Sequence, residues 1–273
     1  MVADIHTSID VPVWFPWAAS VAVVAFVAMT MMLATRLRRG LPVIAVRSHE
    51  PVPWDGNDVF VIAIGFVGLA TMAGAITGPK PPLDLSLAMS MLVVTLATIL
   101  ARAWLMARGA TAADLGLGPI QPTADAKLAI MGLALVVPPL LGLAAWLDTI
   151  KPYEHPVVEF LATRRDALGI GLVVVTACVV APVGEEFFFR RVLQAWLEKL
   201  LPAADGIAAV CIAAAAFALA HYGHGLAFLP LFPLGLVLGL IARRTGSIVP
   251  CILLHALFNA VSVAILLATP PRG

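Results

Sequence analysis

The sequence predicts an all-α, polytopic integral membrane protein with about eight transmembrane helices. Of its 273 residues, 61% are hydrophobic and 12% are charged, whereas soluble domains have roughly 45–50% apolar and about 25% charged residues. So few charged side chains do not cover the surface of a water-soluble protein of this size. The apolar residues also occur in runs of about 20, which is the length that a helix needs to cross a bilayer.

Eight apolar segments meet this length criterion, and the fourth contains Pro138 and Pro139, which predict a kink. The fifth segment is short, but no strong helix breaker follows it as far as residue 200. One long helix and two pieces joined near Pro182 and Gly184 are therefore both open. In chain order the segments are 13–35, 58–77, 85–106, 128–147, 168–184, 206–222, 226–242 and 248–268.

The distribution of Lys and Arg predicts that both termini are extracytoplasmic in a multi-pass cell-membrane protein. With the N-terminus outside, 12 of the 17 basic residues lie on the inner side, as the positive-inside rule requires. No internal repeat or low-complexity tract divides the chain, so residues 1–273 are expected to form a single membrane domain. A net charge of +1 without a basic stripe excludes a nucleic-acid partner, and the three cysteines are expected to be buried small hydrophobic residues.

Ionisable groups inside membrane helices are costly and are functional candidates by default. The spans of the N-terminal half contain nothing of this kind except Arg102. In the C-terminal half, polar residues follow the fifth segment, end the sixth and lie within the eighth. They are Glu185, Glu186, Arg190, Arg191, His221, His224, His255 and Asn259.

The helical spacing assigns different roles to the two adjacent glutamates. Glu186 and Arg190 are four residues apart with the acid first, the favoured orientation for an ion pair within a helix. Adjacent residues point about 100° apart, so Glu185 is left free to face a cavity and to act as a general base toward water. The alternative is an interfacial charged cluster that caps a membrane helix.

Two further pairs lie one helical turn apart: Phe217 with His221, and His255 with Asn259. Taken singly, each is explained by hydrogen bonding between helices. Counting residues from the helix ends leaves it open whether His221 and His255 reach the same depth, unless the fifth helix is one tilted rod. His224 is a second candidate ligand or an interfacial loop residue.

Together, these side chains contain the groups that peptide hydrolysis needs. Glu185 and His221 would position and activate a water molecule, while His255 and Asn259 would donate to the oxyanion. Alternatively, Glu185, His221 and His255 would form a two-His, one-carboxylate Zn²⁺ site with an open position for water. The residues do not choose between the metal-free and the metal-assisted mechanism.

Three ordered motifs carry a resemblance to a known family. Glu-Glu-x-x-x-Arg at 185–190, Phe-x-x-x-His at 217–221 and His-x-x-x-Asn at 255–259 resemble the motifs of the CPBP family. This family comprises the type 2 CAAX prenyl endopeptidases, which are intramembrane proteases, and related bacteriocin-processing or immunity proteins. The stretch 235–247 is also similar to the family, and 115–119 is so weakly.

The resemblance implies a catalytic core at residues 166–268, preceded by scaffold helices in residues 1–165. It implies Glu185, His221, His255 and Asn259 as catalytic positions, and Glu186 and Arg190 as supporting ones. The implied substrate is a membrane-anchored protein or lipidated peptide in the lipid bilayer, and family members are described both as metalloproteases and as metal-free.

Two other functions compete with proteolysis. A noncatalytic immunity or sorting protein would keep the fold without needing the intact polar residues. A transporter would use buried Glu and His to relay protons or bind cations, but no matched pair of broken helices occurs in the two halves.

Overall fold

The predicted all-α membrane fold is confirmed. The computed structural model describes residues 15–47, 50–118, 120–151, 156–201, 206–223 and 225–269, and within these ranges the regular elements are helices without a β-strand. Seven of the helices described are long and apolar enough to cross a membrane, and a shorter apolar one, Ile207–Leu219, brings the number to the predicted eight. His224 and the N-terminal residues 1–14 lie outside the described ranges.

The helices follow the predicted order with shifted ends. The longer elements are α1 (Phe15–Arg38), α2 (Gly56–Thr77), α3 (Leu83–Ala107), α4 (Pro122–Ile150), α5 (Pro156–Thr163), α6 (Ala167–Leu200), α7 (Ile207–Leu219), α8 (Phe228–Thr245) and α9 (Val249–Ala268). Helix α4 continues through Pro138 and Pro139. The three cysteines are free, as expected, although only Cys251 is fully buried.

Helix α6 is one continuous rod of 34 residues, which decides between the two alternatives left open by the sequence. It passes Pro182 without a break because it widens locally into two π-helical stretches, Thr176–Val180 and Phe187–Gln194. In the first stretch, the Ala181 N–H donates to the Thr176 carbonyl five residues back. Such π-bulges absorb a residue that cannot join the regular hydrogen-bond ladder, and they often mark functional sites.

Close helix packing surrounds α6 and α8. Gly235 lets α8 approach α7, since a Cβ at this position would lie 3.1 Å from Ala214, and a Cβ at Gly239 would lie 2.8 Å from Oε1 of Gln194. This pair of glycines is thus used for packing within one chain. Helices α4, α8 and α9 share an apolar core that includes Leu234 and Leu254.

The loop before α2 and the link after α3 hold one end of α6 in place. Trp54 is buried and its Nε1–H donates to the Val192 carbonyl at 3.1 Å, while the Lys199 ammonium donates to the Trp54 carbonyl at 3.0 Å. The Arg191 guanidinium donates to the Asp114 carbonyl and lies over the Trp54 ring. Because these partners come from both N-terminal connections, the scaffold helices fix the position of the polar C-terminal half of α6.

Burial raises the pKa of Asp114 in that link, but two hydrogen bonds from Thr111 and the charge of Arg191 outweigh it. The pKa of the carboxyl is therefore below its ordinary value.

The expectation that the N-terminal spans hold no buried ionisable group except Arg102 is wrong. Helices α2 and α4 begin earlier than predicted, and their first turns include the buried Asp58 and Asp125. Asp58 lies 2.9 Å from Nε1 of Trp104 and 3.2 Å from Nε of Arg108, and Asp125 pairs with Arg47 at 2.8 Å. A carboxylate in the first turn is also stabilised by the helix dipole, which explains why helix ends tolerate these acids.

Gly184→Ala is expected to destabilise the protein by about 1–3 kcal/mol, because its Cβ would lie 2.4 Å from Cγ1 of the stiff Val94 side chain on α3. Thermal unfolding in detergent measures the effect, and Val94→Ala in the same chain should restore much of it. Gly68→Ala is the control, since its Cβ meets nothing within 4 Å. Equal stability of the Gly184 and Gly68 variants would contradict the close approach of α3 and α6.

Candidate active site

Three of the predicted site residues meet near the middle of α6. Oε2 of Glu185 lies 3.9 Å from Nε2 of His221 and 4.0 Å from Nε2 of His255. This oxygen is buried and has no hydrogen-bond partner among the described residues. Glu185 and His221 each keep 24% of their side-chain surface exposed, whereas His255 keeps 4%. The arrangement is thus a carboxylate facing two imidazoles, with access from one side.

The lengths of the helices explain why Glu185 and His221 reach the same depth. Glu185 is 15 residues before the end of α6 and His221 is 14 residues after the start of α7, which correspond to roughly 22 and 21 Å at 1.5 Å per residue. Since α7 follows α6 after a short connection, the two residues meet. Helix α6 is the single rod on which the meeting of His221 with His255 was expected to depend, and the two imidazoles lie 3.9 and 4.0 Å from the same oxygen of Glu185.

Glu186 fixes the orientation of His255. Its Oε1 lies 2.9 Å from Nδ1 of His255, and its Oε2 accepts a hydrogen bond of 2.9 Å from Nε of Arg190. Glu186 and Arg190 are fully buried, so the ion pair predicted from their spacing is present. Because Nδ1 is held by Glu186, Nε2 of His255 is the nitrogen that faces Glu185.

Phe217 lies between the two imidazoles and holds His221. The Nδ1 atom of His221 is 2.9 Å from the Phe217 carbonyl oxygen, so Nδ1–H is the donor and Nε2 points toward Glu185. The fully buried Phe217 ring lies edge-on to His221 at 5.2 Å and to His255 at 5.7 Å, and the Arg190 guanidinium lies 4.9 Å from its centroid. One aromatic ring therefore contacts both imidazoles and the supporting cation.

Asn259 makes a contact that the sequence did not indicate. Its Nδ2 donates to the Ala177 carbonyl at 2.7 Å. In the π-helical stretch the Ala181 N–H is used by Thr176, and the next candidate donor, Pro182, has no N–H. The Ala177 carbonyl is left without a backbone partner, and Asn259 supplies one, as buried backbone groups require. One N–H of Asn259 is therefore occupied, and the other remains for a different acceptor.

The side chains around Glu185 are of the types that bind zinc, but the distances between them are longer than in a tetrahedral zinc site. Both imidazoles are held at Nδ1 and present Nε2, as metal-bound histidines do. In a tetrahedral site, however, ligands at about 2.0–2.2 Å lie about 3.3 Å apart, whereas the two nitrogens are 3.9 and 4.0 Å from the carboxylate oxygen. Within the described ranges, His, Cys, Asp and Glu form no group of three with metal-site geometry.

Two buried polar residues near the site were missed by the sequence analysis. Gln194 is 1% exposed and Thr176 is 8% exposed, and the Oγ1 of Thr176 has no partner among the described residues. Gln194 lies four residues after Arg190, as Arg190 lies four residues after Glu186. This repeated four-residue spacing is the sequence signal that could have identified Gln194. No comparable spacing identifies Thr176.

The comparison with protein families agrees with the three motifs. Residues 167–261 match the family model described as type II CAAX prenyl endopeptidase Rce1-like. This range contains Glu185, His221, His255 and Asn259, and it confirms the resemblance to CPBP intramembrane proteases. No curated protein and no solved structure matches the chain.

Proposed function

We propose that the protein is an intramembrane endopeptidase that hydrolyses a membrane-anchored or lipidated protein. The proposal rests on the match of residues 167–261 to the Rce1-like family model. The family is one of CAAX prenyl endopeptidases. The observation that carries the proposal is the unpartnered, buried Oε2 of Glu185, which faces Nε2 of His221 and His255. A carboxylate in this position is suited to activate water.

The distances favour a water molecule between the three side chains. At 3.9 and 4.0 Å, the nitrogen–oxygen pairs are too far apart for direct hydrogen bonds, whereas one water molecule can bridge such a gap. Glu185 accepts a proton from this water while the water oxygen attacks the scissile carbonyl carbon. Because Nδ1–H of His221 donates to Phe217, its Nε2 carries a lone pair. Nε2 accepts a hydrogen bond from the second O–H of the water and so orients the water.

The second half of the reaction returns the proton. The carbonyl π electrons move to oxygen, and this oxyanion receives hydrogen bonds from the protonated Nε2 of His255 and from the remaining N–H of Asn259. The C–N bond then breaks, and Glu185 transfers the proton to the leaving amine. Glu186, whose Oε1 lies 2.9 Å from Nδ1 of His255, stabilises the positive charge of the imidazolium in this step, while Arg190 holds Glu186.

Zinc is the alternative form of the same proposal. Glu185, His221 and His255 would hold the ion, which would supply Lewis-acid activation of water, after each imidazole moved closer to the carboxylate. Metal analysis of the purified protein, with His221→Gln alongside, tests this form: stoichiometric zinc that is lost in the variant supports it. Metal-free protein that cleaves substrate at the full rate would reject it.

His221→Gln is expected to reduce cleavage of a single-span membrane peptide in proteoliposomes by about 100-fold or more, because the water loses one of its two acceptors. Substrate and product are quantified by mass spectrometry. Tyr222→Phe is the matched control, since Tyr222 is the exposed neighbour of His221 and no role in the chemistry is assigned to it. Undiminished cleavage by the His221 variant would contradict the proposed function.

The noncatalytic alternative predicts a different result in the same assay. An immunity or sorting protein would bind the peptide without shortening it, even at an excess of protein over peptide.

We further propose that the termini are extracytoplasmic, from the distribution of Lys and Arg. Labelling of single cysteines introduced at either end tests this orientation.

A further inference from the structure

Four polar residues of α6 form a row that leads away from the active site. Glu186, Arg190, Gln194 and Glu198 are spaced four residues apart, so they lie along one face of the helix. Hydrogen bonds connect each end of the row. Glu186 joins His255 to Arg190, and the Gln194 Nε2 donates to Oε1 of Glu198 at 2.9 Å. The row therefore links the catalytic imidazole with the polar end of α6, except between Arg190 and Gln194.

At this gap, donors and an acceptor are buried without partners. The terminal nitrogens of Arg190, Nη1 and Nη2, and the Oε1 of Gln194 make no hydrogen bond among the described residues. The orientation of the Gln194 amide is fixed, because its nitrogen lies 2.9 Å from two acceptors, the Glu198 carboxylate and the Gly239 carbonyl. Rotating the amide would bring oxygen against oxygen, so Oε1 stays without a partner among the described residues.

A small cavity lies at the same place. Its volume is about 10 Å³, and its lining includes Arg190, Gln194, Glu198, Ala242 and Arg243, with Ser247 and Ile248 just before α9. This volume corresponds to about one water molecule. A site lined by unpartnered donors and an acceptor satisfies the polar condition for holding water, which an apolar cavity of this size does not.

We propose that a water molecule occupies this cavity, accepts from the Arg190 guanidinium and donates to Oε1 of Gln194, which makes Gln194 a positioning residue for His255. The water completes the row from Glu198 to Glu186. With both ends of Arg190 held, Glu186 keeps its Oε1 on Nδ1 of His255, and Nε2 stays directed at Glu185. The catalytic consequence rests on the proposed function, but the water site and the imidazole orientation do not.

The first test does not depend on activity. An experimental structure that shows ordered water is expected to have one within hydrogen-bond distance of both Arg190 and Gln194. An empty cavity, or a direct Arg190–Gln194 hydrogen bond in its place, would overturn the proposal. Nitrogen-15 spectra of histidine-labelled protein, with the His255 signals assigned by their loss in His255→Gln, are recorded at a pH high enough for the imidazole to be neutral and should show one tautomer with the proton on Nδ1. Nε2 carries a proton only in the imidazolium form that the proposed reaction uses.

Three variants separate the role of the acceptor from that of packing. Gln194→Met removes Oε1 at similar size, and Ala242→Val fills the cavity while Gln194 stays intact. Both are expected to produce a second His255 tautomer and to lower the cleavage rate roughly 10-fold, the scale found for outer-shell hydrogen-bond partners. Gln194→Glu keeps the acceptor but loses the hydrogen bonds donated to Glu198 and to Gly239, so it should retain the single tautomer if the acceptor is what matters.

The controls make each outcome decisive. Ala260→Val adds the same two methyl groups at an exposed position of α9 and should leave both the tautomer and the rate unchanged. If Gln194→Met and Ala242→Val keep the single tautomer, the proposal is wrong, whether or not the protein cleaves a peptide. If Gln194→Glu behaves like Gln194→Met, the hydrogen bonds from Gln194 to Glu198 and Gly239 rather than the water are the important contacts, and the proposal is overturned.

Discussion

Glu186→Gln is expected to lower the free energy of unfolding by about 3–5 kcal/mol, because it removes one charge of a fully buried ion pair. Glu186 accepts a hydrogen bond of 2.9 Å from Arg190 and lies 2.9 Å from Nδ1 of His255, and both charged side chains are without solvent contact. The variant leaves the Arg190 guanidinium charged and uncompensated in a membrane helix, where ionisable groups are most costly. Reversible unfolding in mixed detergent micelles measures the loss.

Two comparisons separate the ion pair from a general effect of the substitution. Glu159→Gln makes the same chemical change at an exposed position of α5 and should alter stability by less than about 0.5 kcal/mol. The double variant Glu186→Met, Arg190→Met removes both charges, and it should recover much of the stability because hydrophobic residues of similar size replace buried pairs well. A Glu186→Gln variant as stable as Glu159→Gln would contradict the buried pair.

The sequence predicted the parts of the site that depend on local spacing. The four-residue interval between Glu186 and Arg190, and between Phe217 and His221, sets the geometry within one helix, and both contacts are present. The contact between Glu186 and His255 joins residues that are 69 positions apart. It depends on how α9 packs against α6, which no local periodicity encodes.

The remaining differences follow from backbone hydrogen bonding. The role of Asn259 at the Ala177 carbonyl exists because a π-helical stretch and Pro182 together leave that carbonyl without a donor. Hydropathy alone does not show where a helix widens. In the same way, hydropathy placed the start of α4 too late, because the acid of its first turn, Asp125, lowers the local average although it is buried and paired with Arg47.

Glu185→Gln is expected to have the opposite effect from Glu186→Gln, although the two residues are adjacent. Cleavage should fall by about 10²–10⁴-fold, because an amide does not accept the proton from water. Stability should change by less than about 0.5 kcal/mol, since Oε2 of Glu185 has no hydrogen-bond partner among the described residues and the side chain is 24% exposed. The rate in proteoliposomes and the unfolding curve in micelles are measured on the same preparation.

The pair of adjacent variants distinguishes a catalytic carboxylate from a structural one. Glu185→Asp is the informative third variant: it keeps the charge but withdraws it by one methylene from His221 and His255, so it should retain more activity than Glu185→Gln and less than the unmodified protein. If Glu185→Gln instead lowered stability as much as Glu186→Gln while sparing cleavage, Glu185 would be part of the packing of α6. The water would then have to be activated by the imidazoles alone, which face it with one nitrogen each.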